Sequence, residues 1–494
     1  QKPPPPPPGE ASDVSMLNAS GGIDPAAAGM VGGGQIVAVD AQVANGQLVP
    51  AGYYMPPAAQ MSEHELQNLI NALRIEREPQ DILERLSEIT ASKQDEDIRR
   101  RVVEAGAIPL LVGFLSPNWL SNIMPSTKQL LVFRWSLQTL THLTRTRDYR
   151  DTVREAGLLP KLVALLLLKK LPTSVQQALL QCLINVTAGN KPNQVMLQEE
   201  GVPLLLARLM DQVLKEVDPD EAAHAVFRFL VLALNAVLTA DMPYEEKSDV
   251  VQAGGLAALV TALGPAHIDA HVDAVQSINK LCSSNIGLCT ALREHNGVTP
   301  LVFLLDWDHA TPAVVKSAII CLMNCSRRDV NVRDDICSEM GITPIVALMD
   351  RGQERIIVEK ATWTLNNLAT GSAANQEAVR AAGGVKATLA VLEWARDAPT
   401  MKAALATIIH LAEDPETGDE VLAAGGIPVL VKHAKGEVSN AHKDIALLAL
   451  NKLAVHSPAV GAKVQELTGE ELWSAVQVAV LPGAAASAVP ANRI

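Results

Sequence analysis

The chain has 494 residues, 48% hydrophobic and 19% charged, a balance typical of a folded protein that is too long for one compact core. Aromatic residues make up only 3%, so Leu, Val, Ile and Ala must fill the interior. The formal net charge of −13 argues against nucleic acid as the main ligand, because phosphate binding needs clustered Lys and Arg.

The first 60 residues differ in composition from the rest of the chain. The opening QKPPPPPPGE contains six consecutive prolines, and Gly, Ala and Pro remain frequent up to residue 60. Consecutive prolines favour an extended polyproline II conformation, and a segment of this composition cannot form an independent core. The sequence therefore predicts an extended Pro/Gly/Ala-rich arm over residues 1–60. Because the chain begins at Gln1, the sequence leaves open whether a targeting peptide was removed before it.

Helical patterning begins at MSEHELQNLINAL. Ser62 followed three residues later by Glu65 is the signature of a capping box, which satisfies free N–H groups at a helix start. A second helical segment, DILERLSEIT, covers residues 81–90. We expect a pair of N-terminal capping helices within residues 61–94.

A phrase of about 12 residues then recurs along the chain. It reads EAGAIPLLVGFL at 104–115 and EAGLLPKLVALL at 155–166, and further copies start at residues 199, 252, 294, 339, 381 and 423. A degenerate ninth copy, ELTGEELWSAV, starts at residue 466. The glycine of the phrase, or its equivalent, recurs about every 42 to 44 residues with two longer gaps, a period typical of helical solenoids.

Each repeat can be interpreted as three helices. A short polar helix ends at Gly, or at Asn296 in one copy, because these residues tolerate the left-handed backbone at a helix end. A second, apolar helix follows, often with Pro near its start. A third helix of about 14 residues carries a phrase such as ATWTLNNLA (361–369), in which Ala361, Leu365 and Leu368 share a face that we expect to be buried.

Three helices per repeat, with EAGAIPLLV followed by a W-x-L-x-N-L-A helix, resemble the armadillo repeat family. The resemblance covers about residues 95–482 and leaves residues 483–494 as a tail. It implies an all-α, right-handed α-solenoid of about eight to nine three-helix repeats, in which the third helices line the concave surface.

The two longer gaps lie between second and third helices. They are SPNWLSNIMPSTK (116–128) and DQVLKEVDPDEA (211–222), and we interpret both as loop insertions at one edge of the solenoid. Trp119, in the first insertion, is either an exposed aromatic contact or a side chain that folds back onto the repeats.

Aligned third helices place a recurring polar position at Asn367. In chain order this position holds Thr139, Asn185, Ala236, Lys280, Asn324, Asn367, His410 and Lys452. Four residues earlier, on the same helix face, stand Trp135 in the first repeat and Trp363 in the sixth. The candidate partner-binding residues are therefore Trp363, Asn367, Asn324, Asn185, Lys280 and Trp135.

Two interpretations of these residues stay open. An Asn amide can bond both sides of an extended peptide backbone, and a neighbouring Trp can flank an aliphatic stem. The same Asn can instead bond carbonyl groups of the neighbouring repeat. The nuclear-import adaptors of the family carry W-x-x-x-N pairs in most repeats, whereas here the full pair occurs only at Trp363 and Asn367. Lys280, His410 and Lys452 would place basic groups in the groove, which is similar to family members that accept acidic segments.

No pattern of an enzyme or a bound cofactor occurs in the sequence. Zinc-protease, serine-hydrolase, phosphate-loop and kinase motifs are missing, and we expect no catalytic activity, cofactor or metal. Cys321 and Cys325, four residues apart, could pair as metal ligands, but free Cys is more often a small buried residue. No apolar run reaches the length of a membrane span.

The sequence favours a non-catalytic scaffold or assembly subunit that binds proteins through its solenoid, with an extended partner segment in the concave groove. The alternatives are an adaptor or receptor that binds and releases one linear peptide, and a regulator of a partner enzyme or chaperone. We expect an intracellular, cytoplasmic location; membership of a large multi-subunit assembly and organellar or ciliary residence stay open.

Overall fold

A computed structural model describes residues 61–91, 96–115, 126–168, 171–216 and 220–479, together with the backbone of residues 41–44 and 47–50. The chain divides into two units, residues 1–61 and 62–494. The expectations for Trp119, for the polyproline run and for the tail at 483–494 lie outside the described residues.

The described backbone of the first unit is a small antiparallel pair of strands, β1 (Ala41–Ala44) and β2 (Gln47–Pro50). Ala41 lies opposite Pro50, and Ala44 lies opposite Gln47. Two residues with the sequence Asn-Gly separate the strands, and this dipeptide is a strong hairpin signal. The expectation of a simple extended arm did not include this pairing.

The second unit opens with the two expected capping helices, α1 (Glu63–Leu73) and α2 (Gln80–Thr90). The capping box is confirmed, because the Ser62 hydroxyl accepts from the Glu65 backbone N–H at 3.2 Å and the Glu65 carboxylate accepts from the Ser62 N–H at 2.7 Å. Leu83 and Leu86 of α2 are fully buried.

Eight complete triplets of helices follow within the described residues. The first helices are α3 (Glu96–Glu104), α6 (Tyr149–Glu155), α9 (Lys191–Glu199), α12 (Tyr244–Gln252), α15 (Ile286–Glu294), α18 (Val330–Ser338), α21 (Ala373–Ala381) and α24 (Thr417–Ala423). The second helices are α4 (Ala107–Phe114), α7 (Leu158–Leu166), α10 (Val202–Leu214), α13 (Gly255–Thr261), α16 (Val298–Phe303), α19 (Ile342–Ala347), α22 (Gly384–Trp394) and α25 (Gly426–Ala434).

The third helices are α5 (Thr127–Leu143), α8 (Thr173–Thr187), α11 (Glu221–Val237), α14 (His271–Cys282), α17 (Pro312–Arg328), α20 (Arg355–Ala369), α23 (Ala398–Leu411) and α26 (Lys443–His456). Short 3-10 turns, Pro265–Ala270 and Asn440–His442, precede α14 and α26. The degenerate ninth copy is the helical segment α27 (Pro458–Gln477), which breaks at Gly469, where φ is 71°.

The third helices pack against one another in series from α2 to α26, and α27 closes the far end against α26. Ala361, Leu365 and Leu368 are each 0% exposed, which confirms the predicted buried face of α20. No repeat could hide such a face alone, so stacking is what stabilises the solenoid. In the described part of the chain, no helix is both long and apolar enough to cross a bilayer.

The turn between first and second helices follows the predicted chemistry in most repeats. Gly106 and Gly157, for example, adopt φ of 82° and 80°. The repeat at 339–349 differs, because Met340 takes the left-handed conformation with φ of 60°. Gly341 is still needed there, since a Cβ on it would lie 2.8 Å from the carbonyl oxygen of Ile336. The glycine therefore serves close helix contact rather than backbone freedom in this repeat.

Candidate functional site

The predicted polar positions lie on the stacked third helices, where each helix meets the one before it. We call this surface the ladder face and define it by Trp135, Asn185, Lys280, Asn324, Trp363 and Asn367. Regular spacing of the repeats is what places these residues in register, because each third helix repeats the contact made by its predecessor.

Asn367 joins α20 to α17. Its side-chain nitrogen donates to the carbonyl oxygen of Met323 at 3.0 Å and to the hydroxyl of Ser326 at 3.1 Å. The side chain is only 5% exposed, so it lies within the packing between the two helices. Trp363, one turn earlier, is half-buried. A ligand contact by this pair stays a prediction, and Trp363 is its more accessible member.

Asn185 and Asn324 also bond the preceding third helix, one through a backbone carbonyl and the other through a side chain. The nitrogen of Asn185 donates to the carbonyl of Thr141 at 2.9 Å, and that of Asn324 donates to the side-chain oxygen of Asn279 at 2.8 Å. Both Asn185 and Asn324 are half-buried. These contacts match the structural alternative that the sequence left open, and a partner-binding role for both residues stays a prediction.

Lys280 fills the same position of α14 with a different chemistry. Its ammonium donates to the carbonyl of Asn235 at 2.5 Å and to the Asn235 side-chain oxygen at 2.7 Å. The Asn235 nitrogen in turn donates to a carboxylate oxygen of Asp273 at 2.7 Å and to the side-chain oxygen of Gln276 at 3.0 Å. Burial lowers the pKa of Lys280, and the nearby Asp273 carboxylate partly offsets this effect. The Lys280 ammonium is therefore bonded to α11 rather than free for a partner.

The side-chain contacts at the recurring position differ where that position is apolar or lies close to the C-terminus. Ala236, in α11, offers no side-chain donor toward α8. His410 and Lys452 are half-buried, and burial lowers the pKa of His410. Glu413 opposes that decrease, whereas the positive charges of Arg333 and Lys452 reinforce it. Two cations, Arg333 and Lys452, and one carboxylate, Glu413, therefore surround His410.

Trp135 borders a cavity of about 270 Å³ between α2, α5 and α8. Gln138 and Gln181 supply amide groups to its walls, and Arg145 and Glu88 supply opposite charges. The guanidinium of Arg134 lies over the indole of Trp135, 4.6 Å from the ring centroid. An aromatic wall beside amides and a cation can hold an extended peptide and one of its polar side chains.

His142 lines this cavity and joins α5 to α2. Its Nδ1 lies 3.1 Å from the carbonyl oxygen of Ser87 in α2, so the proton on that nitrogen is donated to Ser87. Burial and then the charge of Arg145 lower the pKa of His142 to about 4, although the bond to Ser87 acts in the opposite sense. The imidazole is neutral at physiological pH.

Sequence reasoning missed His142 and Arg145 because it aligned only the Asn367 position. Both residues follow Thr139 in α5 and its C-terminal turn, at offsets of three and six residues. Residues three apart are neighbours on a helix surface, so extending the alignment toward the C-terminus by one turn would have found His142, and by a second turn Arg145.

A second series of contacts, also missed, joins each first helix to the third helix before it. Arg150 donates to the carbonyl of Thr144 at 2.9 Å, and Asn193 donates to that of Val186 at 2.7 Å. Such bonds satisfy carbonyl groups that a helix end leaves without partners. The other members of the series are Lys247, Cys289, Arg333, Gln376 and Thr417.

Five of the six cysteines pack in the interior, and Cys337 is half-buried. Cys321 and Cys325 of α17 are 0% and 1% exposed, and burial raises the pKa of the Cys182 thiol to about 12. Within the described ranges, no three His, Cys, Asp or Glu side chains converge in a way that would hold a metal ion.

Comparison with known proteins identifies the architecture. No protein-family model matches the sequence. An engineered protein solved in a structural-genomics programme superposes with a TM-score of 0.67 at 21% identity, over 84% of this chain and 98% of that one. A second engineered protein (TM-score 0.45, 22% identity) and a designed armadillo repeat protein (TM-score 0.44, 25% identity) each match 51% of this chain. The first likeness shows the fold, a helical-repeat solenoid.

Proposed function

We propose that this chain is an armadillo-repeat scaffold without catalytic activity, which binds partner proteins along its ladder face. In such a solenoid the ladder face is the concave one, and the bound element is an extended segment of the partner. The observation that carries this proposal is the cavity beside Trp135, which opens between the capping helix α2 and the third helices α5 and α8 and combines an indole, amides and a guanidinium.

The stacked third helices support a surface that is long enough for an extended chain. Trp135 in α5 and Trp363 in α20 are both half-buried aromatic side chains, and they stand five repeats apart on the same face. Half-buried Trp side chains are frequent energetic anchors of protein interfaces. Between them the amides are committed to neighbouring helices, so we expect two separated anchor regions rather than a uniform row of peptide contacts.

The charge around the anchors favours a partner segment with acidic residues. Arg145 lies beside Trp135, and Arg333 and Lys452 lie close to His410. The guanidinium groups of Arg145 and Arg333 bond backbone carbonyls, as Arg145 does with Ala91 at 2.6 Å, and those contacts do not neutralise their charge. An adaptor that releases its peptide is the second candidate, since the same anchors suit it.

The proposal is tested by affinity purification of the full chain followed by quantitative mass spectrometry. We expect the double change Trp135→Ala and Trp363→Ala to reduce partner recovery at least tenfold, because a desolvated Trp contact contributes about 2 kcal/mol or more. The matched control changes two exposed residues elsewhere, Ile286→Ala and Val330→Ala, which are 58% and 52% exposed.

Partner recovery that is equal for the two double variants would contradict a role of the ladder face. A stoichiometric complex that survives gel filtration supports the scaffold. Release of the partner by a short peptide taken from its own sequence supports the adaptor instead.

A further inference from the structure

A second surface, away from the ladder positions, has the features of a binding site. Helices α7, α8, α10 and α11 enclose a cavity of about 830 Å³. We call it the leucine cleft. Its lining is dominated by leucine and other apolar side chains, among them Leu165, Leu168, Leu179, Leu205, Leu209 and Val226. Cavities of this size and composition are typical of sites that bind a ligand or a partner side-chain cluster.

The leucine cleft exists because of the second insertion in the sequence. The segment 211–222 was expected to be a loop, but its first four residues extend α10 to Leu214, and α11 begins at Glu221. Helix α10 thus has 13 residues, whereas α7 has 9. The extra turns carry Gln212 and Val213 beyond the end of α7, and they form one wall of the cleft.

Apolar side chains are exposed at the mouth of the leucine cleft. Leu167 lines it and is 63% exposed. Leu214, next to the lining residue Val213, is 38% exposed. The floor is buried, with Leu165 at 0% and Leu179 at 2% exposure. Exposed apolar residues that adjoin an apolar cleft and are surrounded by polar ones mark an interaction site.

Charges at the rim restrict what can dock. Glu216 and Asp220 line the cleft at its open side and are exposed, and neither forms an ion pair with any described residue. Asp220 does accept the backbone N–H of Ala223 at 2.8 Å, which fixes its position at the start of α11. Lys215, between them in sequence, is already paired with Asp211 at 2.5 Å. Among the described residues that line the cleft, Arg208 is the one cation.

We propose that the leucine cleft docks one amphipathic helix of a partner protein. The apolar face of that helix enters the cleft and covers Leu167, and its Lys or Arg residues lie against Glu216 and Asp220. An amphipathic helix suits the site because its apolar residues recur on one face while the flanking residues remain polar. This site is independent of the ladder face, so the scaffold can bind two partner elements at once.

The test is a fluorescence-anisotropy titration of the full chain with a labelled synthetic peptide of Leu and Lys, in which Leu recurs at i, i+3, i+4 and i+7. We expect saturable binding that weakens at least tenfold in Leu167→Asp. That residue is exposed, so the change leaves the fold intact. Ile286→Asp, at a residue of similar size that is 58% exposed on α15, is the matched control and should change the affinity less than twofold.

The role of the acidic rim is tested by separate variants. Glu216→Lys should weaken binding several-fold, whereas Glu437→Lys, at another exposed glutamate, should not. A peptide of the same composition with scrambled order should bind at least tenfold more weakly. Equal effects of Leu167→Asp and Ile286→Asp, equal binding of the scrambled peptide, or tighter binding of a Leu and Glu peptide would each overturn the proposal. So would a dimer of this chain, detected by sedimentation, that Leu167→Asp dissociates.

Discussion

The interfaces between α17 and α20 and between α11 and α14 solve the same packing problem with different chemistry. In the first, the neutral amide of Asn367 bonds a carbonyl and a hydroxyl. In the second, the ammonium of Lys280 bonds Asn235, and Asn235 bonds Asp273. In both interfaces the ladder position supplies a donor to the preceding helix, but the residue type differs, and Ala236 shows that the donor is not required in every repeat.

The difference between the two interfaces also determines which side chains and charges remain available to a partner in each region. Asn367 leaves no net charge on the ladder face, and its neighbour Trp363 is half-buried. Lys280 introduces a charge, but Asp273 compensates it within the same network. Anchoring by aromatic side chains is therefore expected near α20, and no comparable anchor occurs at the corresponding position of α14, which holds Gln276.

The largest effect is expected beneath both interfaces, in the shared apolar core. Leu365 and Ile278 are aligned in α20 and α14, and both are 0% exposed. Leu365→Ala and Ile278→Ala should each lower the free energy of unfolding by about 2 to 5 kcal/mol, because each change leaves a cavity. Urea unfolding followed by circular dichroism measures both. A much smaller loss at only one site would show that the two regions are not packed alike.

The next largest loss of stability is expected at the charged interface, between α11 and α14. Lys280→Met removes the donor of two bonds to Asn235, and we expect a loss of about 2 kcal/mol in the free energy of unfolding, as for hydrogen bonds to charged groups. A double-mutant cycle with Asn235→Ala checks that the loss belongs to this contact. Additive effects of the two changes would mean that the network does not couple them.

The side-chain bonds of the neutral interface, between α17 and α20, should contribute less to stability. Asn367→Ala leaves the Met323 carbonyl without its side-chain donor, and the expected loss is about 1 to 1.5 kcal/mol. The adjacent Asn366 is a close control, because it is 8% exposed and its side-chain oxygen has no hydrogen-bond partner among the described residues. Asn366→Ala should change stability by less than half as much. A reversed order of the two variants would refute the bond assignment.

The smallest loss of stability is expected at a third junction, between α2 and α5, where His142 joins the two helices. The pKa of His142 is lowered from 6.5 to about 4, so between these values the unfolded chain binds a proton that the folded chain does not. Stability must therefore decrease as the pH falls through this window.

We expect His142→Gln to remove roughly 1 kcal/mol of the stability lost between about pH 7.5 and about pH 5, after allowance for solvent screening. His295→Gln, at an exposed histidine of the α15–α16 turn, should leave that loss unchanged. Unfolding curves recorded at the two pH values give the comparison. If both variants keep the full acid dependence, the destabilising proton binds elsewhere, for example at His433 or His442, whose pKa values burial also lowers.

The solenoid could be predicted from the sequence because its signals are periodic. The EAGAIPLLV-type phrase fixed the first two helices of each repeat, and the buried face of Leu365 and Leu368 follows from helical spacing. The site was only partly predictable. Spacing placed Asn367 correctly on α20, but whether its amide faces a groove or Met323 depends on how closely two helices approach, which spacing alone does not give.

The contacts between first and third helices show a different limit. Arg150, Lys247 and Thr417 occupy equivalent places and bond equivalent carbonyls, yet they share no residue type. Many side chains can donate to a carbonyl, so natural variation hides this position in a single sequence. The extension of α10 was missed for another reason: Asp211–Leu214 follows an apolar helix without a stop signal, and an insertion was assumed to be a loop.

The central claim, that partners bind on the ladder face, is tested most directly by site-specific photo-cross-linking in cells. A benzoylphenylalanine replaces Trp135, Trp363 or, as the control, the exposed Val330 of α18 in the full chain. We expect discrete protein adducts from positions 135 and 363, with the same partner at both, and none from position 330. Adducts that are missing at both tryptophan positions while partners still co-purify, or that are equal at position 330, would contradict it.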